Sequence, residues 1–319
     1  MSDIAILGAG AFGTALAVAL AKDHAAVTLW ARDKALVTDM QTTRLSGARL
    51  PGIDLPETLN VTSSLSEITA NIVLIAVPMS ALSELLAQRD LKTPKVFVAC
   101  MKGIDPATGK TPSALIQSAR PSAQIAALTG PSFAADIADG LPTAVTLACA
   151  DDTLGAVLQR RLSSQTLRLY RTDDVIGAEL GGAVKNVVAL AAGVAVGAGL
   201  GDSARASVIA RGMAEMTRIA THLGGAPGTL AGLSGLGDLV LTATSDKSRN
   251  YRAGLALGAG QPLPAQTTEG LATARALSDI AIGQGLDAPI ATTITRLIDQ
   301  DTTVEDAVAD LLARPLKKE

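Results

Sequence analysis

An α/β domain built on a mostly parallel sheet, followed by an all-α domain, is predicted by three observations. Short continuous runs of β-branched and apolar residues recur through the first half of the chain, as in strands buried on both faces of a parallel sheet. The first run feeds into Gly8-Ala9-Gly10-Ala11-Phe12-Gly13 and then an alanine-rich helix, the pattern of a Rossmann-type βα turn. After Asp173-Asp174 no strand pattern returns, and the composition shifts to Ala, Gly and Leu. These features place a dinucleotide-binding domain over 1–172 and a helical substrate-binding and catalytic domain over 173–319. A chain of 319 residues is also long enough to favour two cores over one.

Ile4-Ala5-Ile6-Leu7 is the first strand. Gly8 then permits the tight turn, Gly10 lets the backbone approach a pyrophosphate, and Gly13 lets helix and strand close together, with the helix N-terminus facing the phosphates. The competing reading is a plain glycine-rich turn. Val27-Thr28-Leu29-Trp30 is the second strand and ends at Ala31-Arg32-Asp33, where an acidic residue would bind the ribose 2′-hydroxyl of NAD. Asp33 comes late and reads as the N-cap of the next helix, while Arg32 can face a 2′-phosphate or remain a solvated loop charge. NADP or NAD is therefore the expected cofactor, with NADPH favoured.

Residues 43–60 read as a loop rich in Gly and Pro. Strands follow at 71–78, 95–100, 124–128, 143–148 and 166–170. Ligands of parallel sheets bind beyond the carboxyl ends of the strands, so Lys102 is placed to reach a substrate anion, against the alternative of a solvent lysine. Gly103 to Thr111 resembles a phosphate-binding loop but has one residue too many between its glycines and is broken by Asp105-Pro106. It is rejected. In Thr129-Gly130-Pro131-Ser132-Phe133-Ala134, proline and serine at a helix opening leave N–H groups free for an anion or hydroxyl, or simply cap the helix.

In the helical half, Lys185 and Asn186 interrupt an Ala/Val/Gly run whose apolar residues surround the helix axis, as in a buried helix. Desolvation there favours the neutral amine and can move a lysine pKa by up to ~3–5 units, so Lys185 can pass a proton near neutral pH. The competing reading is a lysine that snorkels to solvent. Gly181 and Gly182 would let a chain segment or ligand approach one turn earlier, and the lysine is expected at the cleft between the two domains. Gly232 to Asp238 is a glycine-rich turn ending in an acid. Ser248-Arg249-Asn250-Tyr251-Arg252 groups donors where a helix begins, which suits a phosphate or an ordinary surface helix start.

Bulk properties exclude other classes. The net charge of −3 argues against a nucleic-acid binder and requires any anionic substrate to be held by local positive charge. Met1-Ser2-Asp3 lacks the charged and apolar regions of a signal peptide, so a cytoplasmic location is expected. The longest apolar run, from Val187 to Gly201, is broken by glycines and shorter than the ~20 residues that span a bilayer. Cys100 and Cys149 lack metal or redox spacing and read as small buried residues. His24 and His222 offer no ligand set or triad, so no metal is expected and proton transfer falls to lysine or a carboxylate.

Five motifs together carry a resemblance: Gly8 to Ala17, Gly130-Pro131-Ser132-Phe133-Ala134, Gly181-Gly182-Ala183-Val184-Lys185-Asn186, Gly235-Leu236-Gly237-Asp238-Leu239 and Ser248-Arg249-Asn250. The chain resembles the NAD(P)-dependent sn-glycerol-3-phosphate dehydrogenases of the bacterial type over essentially its whole length. The resemblance implies Lys185 as proton acceptor or donor, and contacts to glycerol 3-phosphate from Lys102, Gly130, Ser132, Lys185, Asp238, Ser248, Arg249 and Asn250. It implies a cofactor lying against Ala11, Phe12, Arg32, Lys102, Ala134, Arg249, Thr267 and Glu269. Ala11 stands where the family often has serine, Thr267-Thr268 stands where aliphatic residues usually precede Glu-Gly, and the stretch from Leu255 to Ala265 is shorter than usual.

The implied reaction is hydride transfer between dihydroxyacetone phosphate and sn-glycerol 3-phosphate, supplying phospholipid synthesis, with a homodimer as a compatible assembly. Two other functions stay open on the residues. One is a β-hydroxyacid dehydrogenase, with a lysine on the interdomain helix and a carboxylate substrate. The other is a non-catalytic redox sensor that binds NADPH.

Overall fold

The computed structural model describes residues 3–23, 26–265 and 268–313. The chain divides into two compact units, one made of residues 1–102 and 110–179, the other of 103–109 and 180–319.

The first unit is an eight-stranded sheet of β1 (Ile4–Leu7), β2 (Val27–Trp30), β3 (Leu59–Thr62), β4 (Ile72–Ile75), β5 (Val96–Ala99), β6 (Gln124–Thr129), β7 (Thr143–Ala148) and β8 (Leu167–Thr172), in the order β3-β2-β1-β4-β5-β6-β7-β8. All neighbours are parallel except β6 and β7. The four residues of β1, β4 and β5 are all buried, because alternate side chains enter two separate apolar layers. Ile4 and Ile6 join the helix Ala11–Asp23 on one face, while Ala5 and Leu7 join the helix Met79–Leu86 on the other. Helices leaving β1 and β4 toward opposite faces create the switch point at which α/β folds open a crevice.

One strand departs from the expectation. Leu59–Thr62, in and just beyond what reads as a loop, forms β3 at the sheet edge, parallel to β2. The loop before it is ordered by Arg44, which ends the helix Lys34–Thr43 in the left-handed conformation and donates to the carbonyls of Pro56 and, at 3.1 Å, Leu59. The division between the compact units falls a few residues beyond the change in composition. It lies at 179/180, inside the helix Val175–Gly197 that Asp174 opens by accepting from the Gly177 N–H at 2.8 Å.

In the second unit no strand occurs among the described residues. Its core surrounds Val175–Gly197, of which residues 177–195 are buried. That helix is long and apolar enough to cross a bilayer, but 89% of its apolar window is buried inside the protein. A second helix, Arg249–Gly258, lies directly on it through glycines. A methyl at Gly193 would sit 2.2 Å from the Tyr251 carbonyl oxygen, and one at Gly254 would sit 2.1 Å from that of Leu190. Gly197 and Gly258 repeat the contact one turn further along.

Buried carboxylates brace both units. Glu215 accepts from Ile290 and Ala291 N–H, each at 2.9 Å, at the start of the helix Pro289–Ile298. Glu179 accepts from the Ser113 N–H at 2.8 Å and its hydroxyl at 2.6 Å, at the start of Pro112–Ala119. Burial pushes both carboxyls up from their ordinary range despite these donors. Cys100 and Cys149 are free and buried, and burial pushes both thiols up.

Candidate active site

In the first unit the chain leaves β1 through Gly8, at φ +118°, whose N–H donates to the Trp30 carbonyl at 2.9 Å. Only glycine fits there, because a Cβ would lie 2.7 Å from the Ala76 carbonyl oxygen, just past the end of β4. A Cβ on Gly13 would lie 2.0 Å from the Gly8 carbonyl oxygen, so the helix packs on the turn itself. Gly10 differs, since its missing side chain would face open space with nothing within 4 Å. Gly8 and Gly10 line a crevice of about 660 Å³ together with Arg32 and Val77. The helix Ala11–Asp23 opens there with no acidic residue in its first turn. An open backbone cradle at an unblocked helix N-terminus fits the pyrophosphate of a dinucleotide.

Ala11, Phe12 and Ala134 are half-buried against the adjoining apolar layer. Arg32 is exposed and pairs with Glu84 at 3.3 Å. Asp33 caps the helix Lys34–Thr43, as its late position suggests, accepting from the N–H groups of Ala35 and Leu36.

Beyond β5 and β6, Lys102, Gly130 and Ser132 form one cluster. The Gly130 carbonyl accepts from Lys102 Nζ at 3.1 Å and from Ser132 Oγ at 3.0 Å. Gly130 has φ +133°, and a Cβ would lie 3.1 Å from Val145 Cα on β7, so any side chain there would be strained and would crowd that strand. Ser132 does not cap the next helix. That helix runs Ala134–Ala138 from Phe133 without a side-chain cap, because the serine hydroxyl is turned back onto Gly130. The Thr129 hydroxyl beside it is buried without a partner among the described residues.

Lys185 does not snorkel. It is 6% exposed, its Nζ lies 3.0 Å from Asp238 Oδ1, and it donates to Thr242 Oγ1 at 2.6 Å. The Thr242 hydroxyl in turn donates to Asp238 Oδ1 at 3.2 Å. Asp238 and Thr242 stand one turn apart on the helix Asp238–Ala243, so both reach the same lysine. A π-turn, Leu233–Gly237, leads into Asp238 and is pressed against the lysine's helix, where a Cβ on Gly181 would lie 2.7 Å from the Ser234 carbonyl oxygen. The buried carboxylate favours the ammonium while desolvation favours the amine.

Asn186, next to the lysine, is tied into the same framework. Its Oδ1 accepts from Asn250 Nδ2 at 2.8 Å, and Asn250 Oδ1 accepts from the Gly270 N–H at 2.9 Å. Ser248 caps Arg249–Gly258 by accepting from the Tyr251 N–H at 3.2 Å. Arg249 is exposed at that helix start and has no hydrogen bond or ion pair among the described residues. Glu269 begins the helix Glu269–Gln284 and is half-buried. Thr267 lies outside the described residues.

Thr242 and Glu84 escape the sequence reading. A threonine inside an ordinary helix carries no signal except its spacing of four from Asp238, and Glu84 gives none until β2 and β4 are seen to flank β1.

Comparisons with known proteins converge. The family described as NAD-dependent glycerol-3-phosphate dehydrogenase N-terminus matches residues 3–155, and its C-terminus counterpart matches residues 174–309. A glycerol-3-phosphate dehydrogenase [NAD(P)+] of Paracoccus denitrificans is 57% identical, over 99% of this chain and 100% of its own length. The enzyme of that name from Cereibacter sphaeroides is 55% identical with the same coverage. The crystal structure of a glycerol-3-phosphate dehydrogenase from Coxiella burnetii superposes with a TM-score of 0.91, at 36% identity and 98% coverage of each chain.

Proposed function

The chain belongs to the NAD-dependent glycerol-3-phosphate dehydrogenase family, and from that premise we propose that it interconverts dihydroxyacetone phosphate and sn-glycerol 3-phosphate, with Lys185 as general acid and base. One observation carries the reading: a buried lysine amine held by Asp238 at 3.0 Å and by Thr242 at 2.6 Å. The dinucleotide, when bound, supplies or accepts the hydride.

The chain's own residues do the rest. In reduction, the Lys185 ammonium gives a proton to the oxygen that becomes the alcohol. In oxidation the neutral amine removes it. Asp238 offsets the cost of charging the buried amine, and Thr242 fixes the direction of one of its N–H bonds. Both keep the amine from drifting off the reacting oxygen. Arg249, exposed and uncommitted, is assigned to the substrate phosphate through a charge-assisted fork. Lys102, Gly130, Ser132, Asp238, Ser248 and Asn250 are assigned to the rest of the substrate. Asn250 serves through its place in the framework as well, since its carbonyl oxygen already accepts from Gly270.

To the cofactor we assign the cradle of Gly8, Gly10 and Gly13, with Ala11, Phe12, Arg32, Lys102, Ala134, Arg249, Thr267 and Glu269. NADP is favoured over NAD because Asp33 is engaged as a helix cap while Arg32 can meet a 2′-phosphate. We further propose a cytoplasmic homodimer that supplies glycerol 3-phosphate for phospholipid synthesis.

The test is Lys185→Ala, assayed by NADPH and NADH absorbance with dihydroxyacetone phosphate. Turnover is expected to fall by about 10²–10⁴-fold, the scale of losing a general acid–base group, with dinucleotide affinity nearly unchanged. Near-normal turnover would remove Lys185 from the mechanism. Arg249→Ala should chiefly raise KM for the phosphorylated substrate, and an unchanged KM would assign the phosphate elsewhere. Substrate competition with 3-hydroxy acids separates the reading from a β-hydroxyacid dehydrogenase.

A further inference from the structure

One ionic contact in the glycine-loop crevice is not used by the reaction. Arg32 Nη1 lies 3.3 Å from Glu84 Oε1 and 3.4 Å from its Oε2. The arginine comes just after β2, and the glutamate comes from the helix Met79–Leu86 that follows β4. Their side chains are 77% and 62% exposed, and a pair so placed contributes little to folding. Both residues nevertheless line the crevice, together with the cations Lys34 and Arg49 and the acids Asp33 and Asp90. Asp33 has turned Oδ1 onto two helix N–H groups. Glu84 is therefore the acid that occupies the guanidinium of Arg32.

We propose that Glu84 is a specificity-determining residue that competes with the 2′-phosphate of NADP for Arg32, and so narrows the preference for NADP over NAD. The inference rests on the crevice being the dinucleotide site. A ribose 2′-hydroxyl leaves the Arg32–Glu84 pair intact. A 2′-phosphate, with its ≈ −1.5 to −2 charges, must draw the guanidinium away from the carboxylate and then remain near that carboxylate. Glu84 thus weakens binding of the phosphorylated form and leaves the unphosphorylated form alone. Because the pair is exposed, its members separate readily, and the discrimination is graded and sensitive to salt.

The experiment is calorimetric titration of the full chain with NADP+, NAD+, 2′,5′-ADP and 5′-AMP at low and physiological salt. Glu84→Gln, Arg32→Ala and the double variant are compared, with thermal melting as the check on folding. Glu84→Gln should tighten NADP+ and 2′,5′-ADP by about three- to fivefold, the scale of one exposed charge interaction, and leave NAD+ and 5′-AMP within twofold. In the Arg32→Ala background the same change should have less than a twofold effect. Equal tightening of all four ligands, loosening of NAD+, no change, or full additivity of the two substitutions would each overturn the proposal. Wild-type protein that binds none of the four would overturn the crevice reading itself, a distinct result.

Discussion

Arg32 and Glu84 meet with side chains 77% and 62% exposed, whereas Lys185 and Asp238 meet at 3.0 Å with side chains 7% and 2% exposed. The two pairs have the same chemistry and opposite consequences. In water, an ion pair is screened and exchangeable, so it can yield to an incoming phosphate without disturbing the fold. Out of water, each charge depends on the other, because removing one strands its partner in a medium that cannot solvate it. The first arrangement suits selection among ligands. The second suits a proton donor that must hold one position while its charge changes.

The largest expected effect breaks the buried pair. Asp238→Ala should cost about 3–5 kcal/mol of stability by leaving an unpaired buried ammonium, read as the shift in a urea midpoint. Lys185→Met combined with Asp238→Leu should recover most of that loss, since apolar replacement of a buried pair is often neutral or stabilising. If the single and double variants were equally unstable, the pairing would not be what holds Asp238 in place.

Next comes Gly254→Ala, whose methyl would lie 2.1 Å from the Leu190 carbonyl oxygen. A clash with backbone has no side chain to move aside, and about 1–3 kcal/mol is the usual cost of such overpacking. Turnover should fall along with stability, because Asn250 on the same helix is bonded to Asn186 beside the lysine.

A third case tests a buried acid with no cation as its closest partner. Burial raises Glu215 from an ordinary value near 4.5, so the folded state holds that proton more tightly than the unfolded chain does. The resulting stability is complete below pH 4.5 and is lost as pH rises through the elevated folded value. Urea midpoints of wild type and Glu215→Gln, measured across that range, should therefore diverge in slope, with the wild type losing stability more steeply. Parallel curves would contradict the assignment. The smallest effect belongs to Arg32→Ala, which should change stability by less than about 1 kcal/mol. A loss as large as that of Asp238→Ala would erase the distinction between the two pairs.

Much of this was legible from sequence because the signals are local. Continuous β-branched runs mark strands buried on both faces, and a glycine pattern between strand and helix marks the turn. β3 was not legible, since Leu59-Asn60-Val61-Thr62 is short, carries an exposed Asn60 and emerges from a loop whose order depends on Arg44. The split between compact units at 179/180 was not legible for a related reason. Composition changes at the cap of Val175–Gly197, but the helix runs on through the division, and the segment Gly103–Gly109 joins the helical unit from far upstream. In the site, Lys185 stood out as a lysine among alanines and valines. Thr242 did not, because it looks like any helical threonine until its hydroxyl is found on Nζ. The two asparagines are 64 positions apart, and no spacing rule joins them.

The seam where Gly193 and Gly197 meet Gly254 and Gly258 has a mechanical meaning. With no side chains between them, the two helices lack the soft cushion that lets packed elements slide by small amounts. They are keyed together, since a shift along the seam would bring a side chain onto a backbone oxygen that only glycine can approach. The backbones that carry Lys185 and Arg249, on separate helices, are thus referenced to one close contact.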